Sequence, residues 1–516
     1  MAENNYGTIL EIRGLVKRYP NGVLALDHVD VEMRKGEIHA ILGENGAGKT
    51  TLMNILFGLL QPDEGEIYLD GKKVVFRSPL DAINMGIGMV HQNRKLIPAH
   101  TVLENIILGH PRTGRLLDRK RSRAEVEELC RRFGFDLDLD ARVWQLSAGE
   151  KQLVEIVRAL YRGAKILILD EPTSVLTPPE IESFLESLKA LSREKITLVP
   201  FVTHKLPEVF SICDKVTILR RGKVVKTLDV KETTANQLAE YMVGKEVSLS
   251  IERQDSMLGQ VVLRVENLSA MNDKGLMAFS GVTFSLREGE IFGIAGVSGN
   301  GQHELAETIF GLRRPLSGRI LYNGRDITKS SVLERLRMGI AYIPPERLGV
   351  AAIGELSLVD NVLLAYYFEG AASRNGFVNY KLVKGLTERI ISEYGIVALG
   401  PAAKASHLSG GNLQRLILGR VLSRNPKIVI ANLPTQGLDV AAAQYVRRKL
   451  MECKQRRASV ILISEDLDEI LQLSDRVAPI YEGRFVDVLE NAALRKEEVG
   501  AMIAGAYAGR GTGLAR

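Results

Sequence analysis

The hydrophobic pattern divides this chain into short, mainly apolar runs, helical stripes and glycine turns. IHAIL (Ile38–Leu42), ILILD (Ile166–Asp170) and TLVPFVTH, ending at His204, are short, mainly apolar segments that read as buried strands. LEIRGLVKRY, ending at Tyr19, is strand-like, and EGEIYLDGK with the stretch on to Val90 reads as short strands and turns. Residues 100–145 read as mainly helical, with apolar positions at helical spacing around Val126, Leu129 and Phe133. LSAGEKQLVEIVRAL reads as a glycine turn that leads into a helix, with Ser147 and Gly149 just before it.

The pattern then repeats. KGEIHAILGENGAGKT (Lys35–Thr50) aligns with EGEIFGIAGVSGNGQH (Glu288–His303) at an offset of 253 residues, and Gly58, Pro62, Gly65 and Gly71 meet Gly311, Pro315, Gly318 and Gly324 at the same offset. Gly244 and Gly505 close similar helical segments. One α/β fold is therefore expected twice. The expected divisions are a first domain over 8–245, a polar linker over 246–260, a second domain over 261–505 and a mobile glycine-rich tail over 506–516.

Between the IHAIL strand and a helix start lies GENGAGKT: Gly43, Glu44, Asn45, Gly46, Ala47, Gly48, Lys49 and Thr50, followed by Thr51. It matches the phosphate-loop pattern in the strand–turn–helix context that gives the motif meaning. The glycines let several backbone N–H groups converge on one anion, and the helix N-terminus adds partial positive charge. Lys49 is expected to reach the β- and γ-phosphates, and the Thr50 hydroxyl to ligate Mg²⁺. ILILDEPT carries Asp170 and Glu171 to the carboxyl end of a strand, where such sheets bind ligands. Asp170 is expected to hold Mg²⁺ through water, and Glu171 to orient or deprotonate the attacking water. Taken alone, Tyr19, Gln92 and His204 identify nothing; a lone histidine is usually structural. LSAGE offers a second anion-binding helix end, redundant within one copy unless it serves a partner domain.

The order of phosphate loop, glutamine, LSAGE, ILILDEP and histidine resembles the ATP-binding-cassette ATPases, over nearly the whole chain and twice. The resemblance implies two tandem phosphate-loop ATPase domains. Each would have a parallel-sheet core, an antiparallel β subdomain and a helical subdomain. It also implies head-to-tail pairing, with each ATP between one domain's phosphate loop and the other's signature. Tyr19 then becomes an adenine contact, Gln92 a contact for Mg²⁺ and water, and His204 a contact for the γ-phosphate.

The second copy departs from the family. Gln302 and His303 replace the lysine and hydroxyl, Pro345 stands opposite Gln92, Asn432 and Leu433 opposite Asp170 and Glu171, Glu465 opposite His204, and Asn272 opposite Tyr19. Yet LSGGN keeps the signature as Ser409, Gly410, Gly411 and Asn412, and Asp439 occupies the family's aspartate position, where the first copy has Thr177. One complete site is expected, from the first copy's loop and the second copy's signature. The other, degenerate site is expected to hydrolyse ATP at no useful rate.

EPTSVLTPPE, YIPPER, LSGGNLQR and ISEDLDEI resemble the ATP-binding subunit of bacterial importers for simple sugars and nucleosides, leaning to nucleosides, with a monosaccharide as the alternative substrate. That group implies two integral-membrane permease subunits, an extracytoplasmic substrate-binding protein, and a peripheral location on the cytoplasmic face of the inner membrane. Coupling helices of the permease would dock after Gln92 and around Glu346.

Composition adds little to this. A charge of +6 and a pI near 9.0 permit nucleic acid or an anionic membrane, but charge alone names no partner, and no nucleic acid is expected. The basic cluster Arg112–Arg123 reads as a surface loop and helix start. Cys130, Cys213 and Cys453 have no metal-ligand spacing and read as core thiols in a reducing compartment. No apolar run approaches the ~18 residues of a membrane span, and no signal peptide is visible. A soluble tandem-cassette ribosome-associated ATPase is the competing class. It would call for two intact sites and a long charged linker. A DNA-repair cassette would call for CxxC pairs.

Overall fold

The computed structural model describes residues 8–20, 22–91, 95–110, 118–173, 176, 178–194, 198–244, 258–375, 377–492 and 494–505. The expected tail, most of the expected linker and Gln92 lie outside these residues. The chain forms two compact units, one within residues 1–249 and one within residues 250–516 apart from the short segment 439–441.

Unit one runs β1 (Thr8–Arg18), β2 (Leu24–Arg34), β3 (Glu37–Leu42), α1 (Lys49–Leu56), β4 (Glu64–Leu69), β5 (Lys72–Val74), α2 (Pro79–Asn84) and β6 (Ile87–Val90). It continues through α3 (Val102–Ile107), α4 (Arg119–Phe133), α5 (Ala148–Tyr161), β7 (Ile166–Asp170), α6 (Pro178–Glu194), β8 (Leu198–Thr203), α7 (Leu206–Ile212), β9 (Lys215–Arg220), β10 (Lys223–Asp229) and α8 (Ala235–Val243). An antiparallel sheet has the order β2-β1-β4-β5, and a second sheet has the order β10-β9-β3-β8-β7-β6. In the second sheet β9, β3, β8, β7 and β6 are parallel, and β10 pairs antiparallel with β9.

Strands β3, β7 and β8 are buried at every position because both sheet faces are covered. Along β7 the side chains alternate: Leu167 and Leu169 join the helical core with Val126, Phe133 and Val154, while Ile166 and Ile168 join the core under the antiparallel sheet with Ile12, Leu52 and Ile67. Strands β3, β8 and β7 are neighbours, so their carboxyl ends bring the phosphate loop, His204 and Asp170 to one edge of the sheet.

The segment between β5 and β6 differs from its expected strands and turns. Pro79–Asn84 is a helix, because Ser78 and Asp81 form a reciprocal capping box and Pro79 occupies the first turn, where its missing N–H is harmless. Within the basic cluster, Arg119 opens α4, and residues 112–117 lie outside the described chain. The three cysteines are free and buried.

Unit two repeats the plan. Its parallel strands are Ile340–Ile343, Ile428–Asn432, Ser459–Ser464, Ile291–Ala295 and Arg476–Tyr481, in that order across the sheet, and its antiparallel sheet is centred on Val261–Met271. It carries a buried cation that unit one lacks at the matching position, Ala82. Arg335 is 1% exposed, and its guanidinium donates to the carbonyls of Thr308, Ile309, Ile327, Thr328 and Ser330. Two of these carbonyls end the helix Gln302–Phe310, where positive charge is favourable. Burial still pulls the Arg335 pKa down to about 10.

Arg335→Met should therefore destabilise unit two by about 3 kcal/mol, because the carbonyls left behind are buried. Denaturant unfolding of the full chain should show the loss in the transition of unit two.

Candidate active site

Three glycine-dependent features shape the phosphate loop. Gly46 and Gly48 have φ of 81° and 106°, in the left-handed region that side chains disfavour. A Cβ at Gly48 would also lie 2.5 Å from the Ala25 carbonyl oxygen, so the loop needs glycine there for space as well as for conformation. Gly48 then caps α1, whose first residue is Lys49.

Lys49 is buried, and its Nζ donates to the carbonyls of Gly43 at 2.8 Å and Glu44 at 3.0 Å. Burial lowers its pKa, while the charges of Glu171 and Asp170 pull the other way. Asp170, at the end of β7, is pushed up to about 6 by burial and by the charge of Glu171; a hydrogen bond with Thr50 and the charge of Lys49 oppose the rise. Among the described residues its Oδ1 is buried with no hydrogen-bond partner. A buried carboxylate oxygen with no donor, beside a threonine hydroxyl, suits a hard divalent cation with its water shell.

Glu171 has a left-handed backbone, φ 47°, unusual for a residue with a side chain and the kind of strain that collects at functional sites. Its Oε1 lies 3.0 Å from His204 Nδ1. Burial raises the Glu171 pKa, but the hydrogen bond to His204 and the charges of His204, Lys49 and Lys205 outweigh it, so the carboxylate lies below its ordinary range. The Tyr19 hydroxyl sits 3.2 Å from Thr51 Oγ1, which places the ring beside the first turn of α1.

Behind these groups lies a residue that the motifs do not reveal. Glu208 on α7 is buried; Thr173 donates to its Oε1 and Thr203 to its Oε2 at 2.7 Å. It ties the turn after β7 to the end of β8, the two segments that carry Glu171 and His204. The available signal is the repeat: Glu469 does the same in unit two, accepting from Thr435 at 2.9 Å and Ser464 at 2.6 Å.

Unit two has the same backbone with different chemistry. Gly299 and Gly301 have φ of 92° and 86°, and Leu433 has φ 49° where Glu171 stands in unit one. Gln302 Nε2 donates to the Val297 carbonyl at 2.8 Å, as Lys49 does to Glu44, but brings no charge. Asn432 Nδ2 donates to His303 Nδ1 at 2.9 Å and to the Tyr342 hydroxyl at 3.2 Å, so an amide–imidazole contact stands where unit one has carboxylate and threonine. Glu465, opposite His204, has its pKa raised by burial against a hydrogen bond with Ser298. Asn272, opposite Tyr19, accepts backbone N–H groups of its own turn.

The two signatures are both helix N-termini. Ser147 caps α5 in a capping box with Glu150, and Ser409 caps the helix Gly410–Leu422, with Asn412 Nδ2 donating to Ser409 Oγ at 2.9 Å. Gly149 lies within the first turn of α5 rather than before it, since the cap is Ser147 itself. Gly149 N–H is directed to Glu180 Oε1 at 3.4 Å.

A phosphate loop, a strand-end acid pair and a histidine on adjacent parallel strands define a nucleoside-triphosphatase domain, present here once with its charged groups and once without them. The chain belongs to the ABC transporter family, whose model matches residues 26–174 and 279–436. It is 41% identical to the glucose import ATP-binding protein of Haloferax volcanii, over 96% of each chain. It is 40% identical to the nucleoside import ATP-binding protein of Lactococcus lactis, over 96% of this chain and 98% of the relative. The solved archaeal ribosome recycling factor, determined in complex with the ribosomal stalk protein aP1, covers 96% of this chain with a TM-score of 0.64; at 21% identity that likeness is one of fold. This chain is a tandem-domain ATPase of the transporter family. No helix among the described residues is long and apolar enough to cross a membrane.

Gly48→Ala should cost more than Gly46→Ala in thermal or denaturant unfolding. The first adds an overpacking cost of roughly 1–3 kcal/mol to the left-handed strain, and the second carries the strain alone, about 1–2 kcal/mol. Gly301→Ala, whose Cβ would meet the Ala278 carbonyl, should destabilise unit two in the same way.

Proposed function

We propose that this chain energises an importer that takes up a nucleoside, with a simple sugar as the alternative solute. The reading rests on one observation above the rest: intact site chemistry in unit one and an intact signature in unit two. In it, the Ser409–Asn412 helix end of unit two completes the ATP site built on the phosphate loop of unit one. The loop Gly43–Thr51 and Lys49 bind the phosphates, and Tyr19 packs on the base. Thr50 and Asp170, with Gln92, would hold Mg²⁺, and the buried Oδ1 of Asp170, without a donor among the described residues, supports that assignment. A bound Mg²⁺ would neutralise charge on the β- and γ-phosphates. Glu171, held as a carboxylate by His204, accepts a proton from the attacking water, and His204 contacts the γ-phosphate.

ATP binding would close the two domains and hydrolysis would reopen them, switching the permease between its two access states. The partners in this reading are two membrane permease subunits and an extracytoplasmic binding protein, with this chain peripheral on the cytoplasmic face of the inner membrane. The nucleoside preference is supported by the Lactococcus lactis relative; the Haloferax volcanii relative keeps a sugar open.

Glu171→Gln should lower the ATP turnover number on the order of 100-fold or more while ATP still binds. Leu433→Glu, at the matching position of unit two, should leave turnover nearly unchanged. Full activity in Glu171→Gln would sink the assignment.

A gentle-detergent pull-down of the full chain from its native cells should recover polytopic membrane proteins and a binding protein that can be titrated with nucleosides and sugars. Recovery of ribosomal proteins, with nothing from the membrane, would overturn the importer reading.

A further inference from the structure

In unit two the loop that stands opposite Gln92 and its neighbours has lost its glutamine to Pro345. Two residues further on, Arg347 reaches out of the same loop to two other segments. Its Nε donates to Gln414 Oε1 at 3.2 Å, and its terminal nitrogen donates to the Gln436 carbonyl. Gln414 is buried in the helix Gly410–Leu422 that begins with the signature, and its Nε2 donates to the Pro434 carbonyl at 2.8 Å. Pro434 and Gln436 belong to the turn that runs from Leu433 to Asp439. Three segments are thus locked in one triangle: the loop, the signature helix and the turn that leads to the aspartate.

The guanidinium also lies against glycines on two of those segments. A Cβ at Gly410 would be 3.6 Å from an Arg347 terminal nitrogen, and one at Gly437 would be 3.9 Å away. No carboxylate pairs with Arg347 among the described residues, so its donors are committed to neutral oxygens that fix position rather than to an ion pair. The far end of the loop is tied to the same helix, because Arg420 donates to the carbonyls of Ala351 and Asn361. In unit one the counterpart of Gln414 is Gln152, whose Nε2 has no hydrogen-bond partner among the described residues. The counterparts of Arg347 and Gln436, Arg94 and Ser174, lie outside those residues.

We propose that Arg347 is a positioning residue for ATP hydrolysis. It sets the signature turn Ser409–Asn412 and the turn before Asp439 at a fixed separation and links both to the loop at 344–352. This rests on the reading that unit two's signature serves the ATP held by unit one. Arg347 acts through the two segments it joins.

The test uses the full chain with MgATP. Arg347→Ala should lower the turnover number on the order of tenfold or more, since small misplacements of a positioning group are costly. MgATP affinity, measured in the Glu171→Gln background, should change by no more than about twofold, and the unfolding temperature should fall by only a few degrees. Arg347→Lys should not rescue turnover, because an ammonium cannot span two acceptors with a planar fork. Gln414→Leu should match Arg347→Ala, and the double variant should be no worse than either alone. Normal turnover in Arg347→Ala, rescue by lysine, additive losses, or a parallel fall in affinity and unfolding temperature would each overturn the proposal. Ser409→Arg separates the two readings: if it abolishes turnover while Arg347→Ala does not, the composite site stands and the role of Arg347 falls. If Ser409→Arg is itself fully active, the composite site falls.

Discussion

A polyphosphate must be met by positive charge inside a folded protein, and burying a lone lysine to do so is costly. In unit one that cost is distributed. Lys49 is buried with two carbonyls of its own loop as acceptors, and its charge is balanced by Asp170 and Glu171 on a neighbouring segment. The acids in turn are kept apart in function: burial lifts Asp170, while His204 draws Glu171 down. This balance requires β3, β7 and β8 to end at one edge of one parallel sheet, where they lie side by side and are buried at every position.

Unit two shows which parts of the arrangement are mechanical and which are chemical. The left-handed glycines, the left-handed residue after the strand and the buried glutamate that ties two strand ends together are all retained, as Gly299, Gly301, Leu433 and Glu469. The charges are gone. Gln302 makes the lysine's loop contacts without its charge, and Asn432 finds an imidazole partner in His303. A backbone that keeps its shape after losing its cation and acids is held by packing and hydrogen bonds, with the ligand's charge playing no part in the fold.

Much of the candidate site was legible because its determinants are local. Gly43–Thr50 needs a glycine turn between a strand and a helix, and ILILDEPT needs an apolar strand with acids at its end; both are contiguous segments. The duplication was legible too, since a fixed offset survives divergence of the side chains. The helix Pro79–Asn84 was missed because it is only six residues long, too short to show a period, although its capping box is written in Ser78 and Asp81. Gly149 was placed before the helix rather than in its first turn because glycine signals a turn in general, whereas the cap geometry of Ser147 decides where the helix begins.

Glu208, Arg335 and Arg347 carry no local signal of their roles, because their partners are distant in sequence. Arg347 and Gln436 are far apart along the chain, and Arg335 resembles any surface arginine until its five carbonyls are seen around it. The sequence by itself determined that the two copies share a fold, and it marked the candidate residues for binding and hydrolysing a nucleotide and the copy that carries them, since all of this is encoded in residue types at short spacing. Only the tertiary structure decided the protonation tendencies of Asp170 and Glu171, the partners of Lys49 and the buried ties that hold the turns in place. Those depend on burial and on through-space distance, which arise only when strands and helices far apart in the chain pack together.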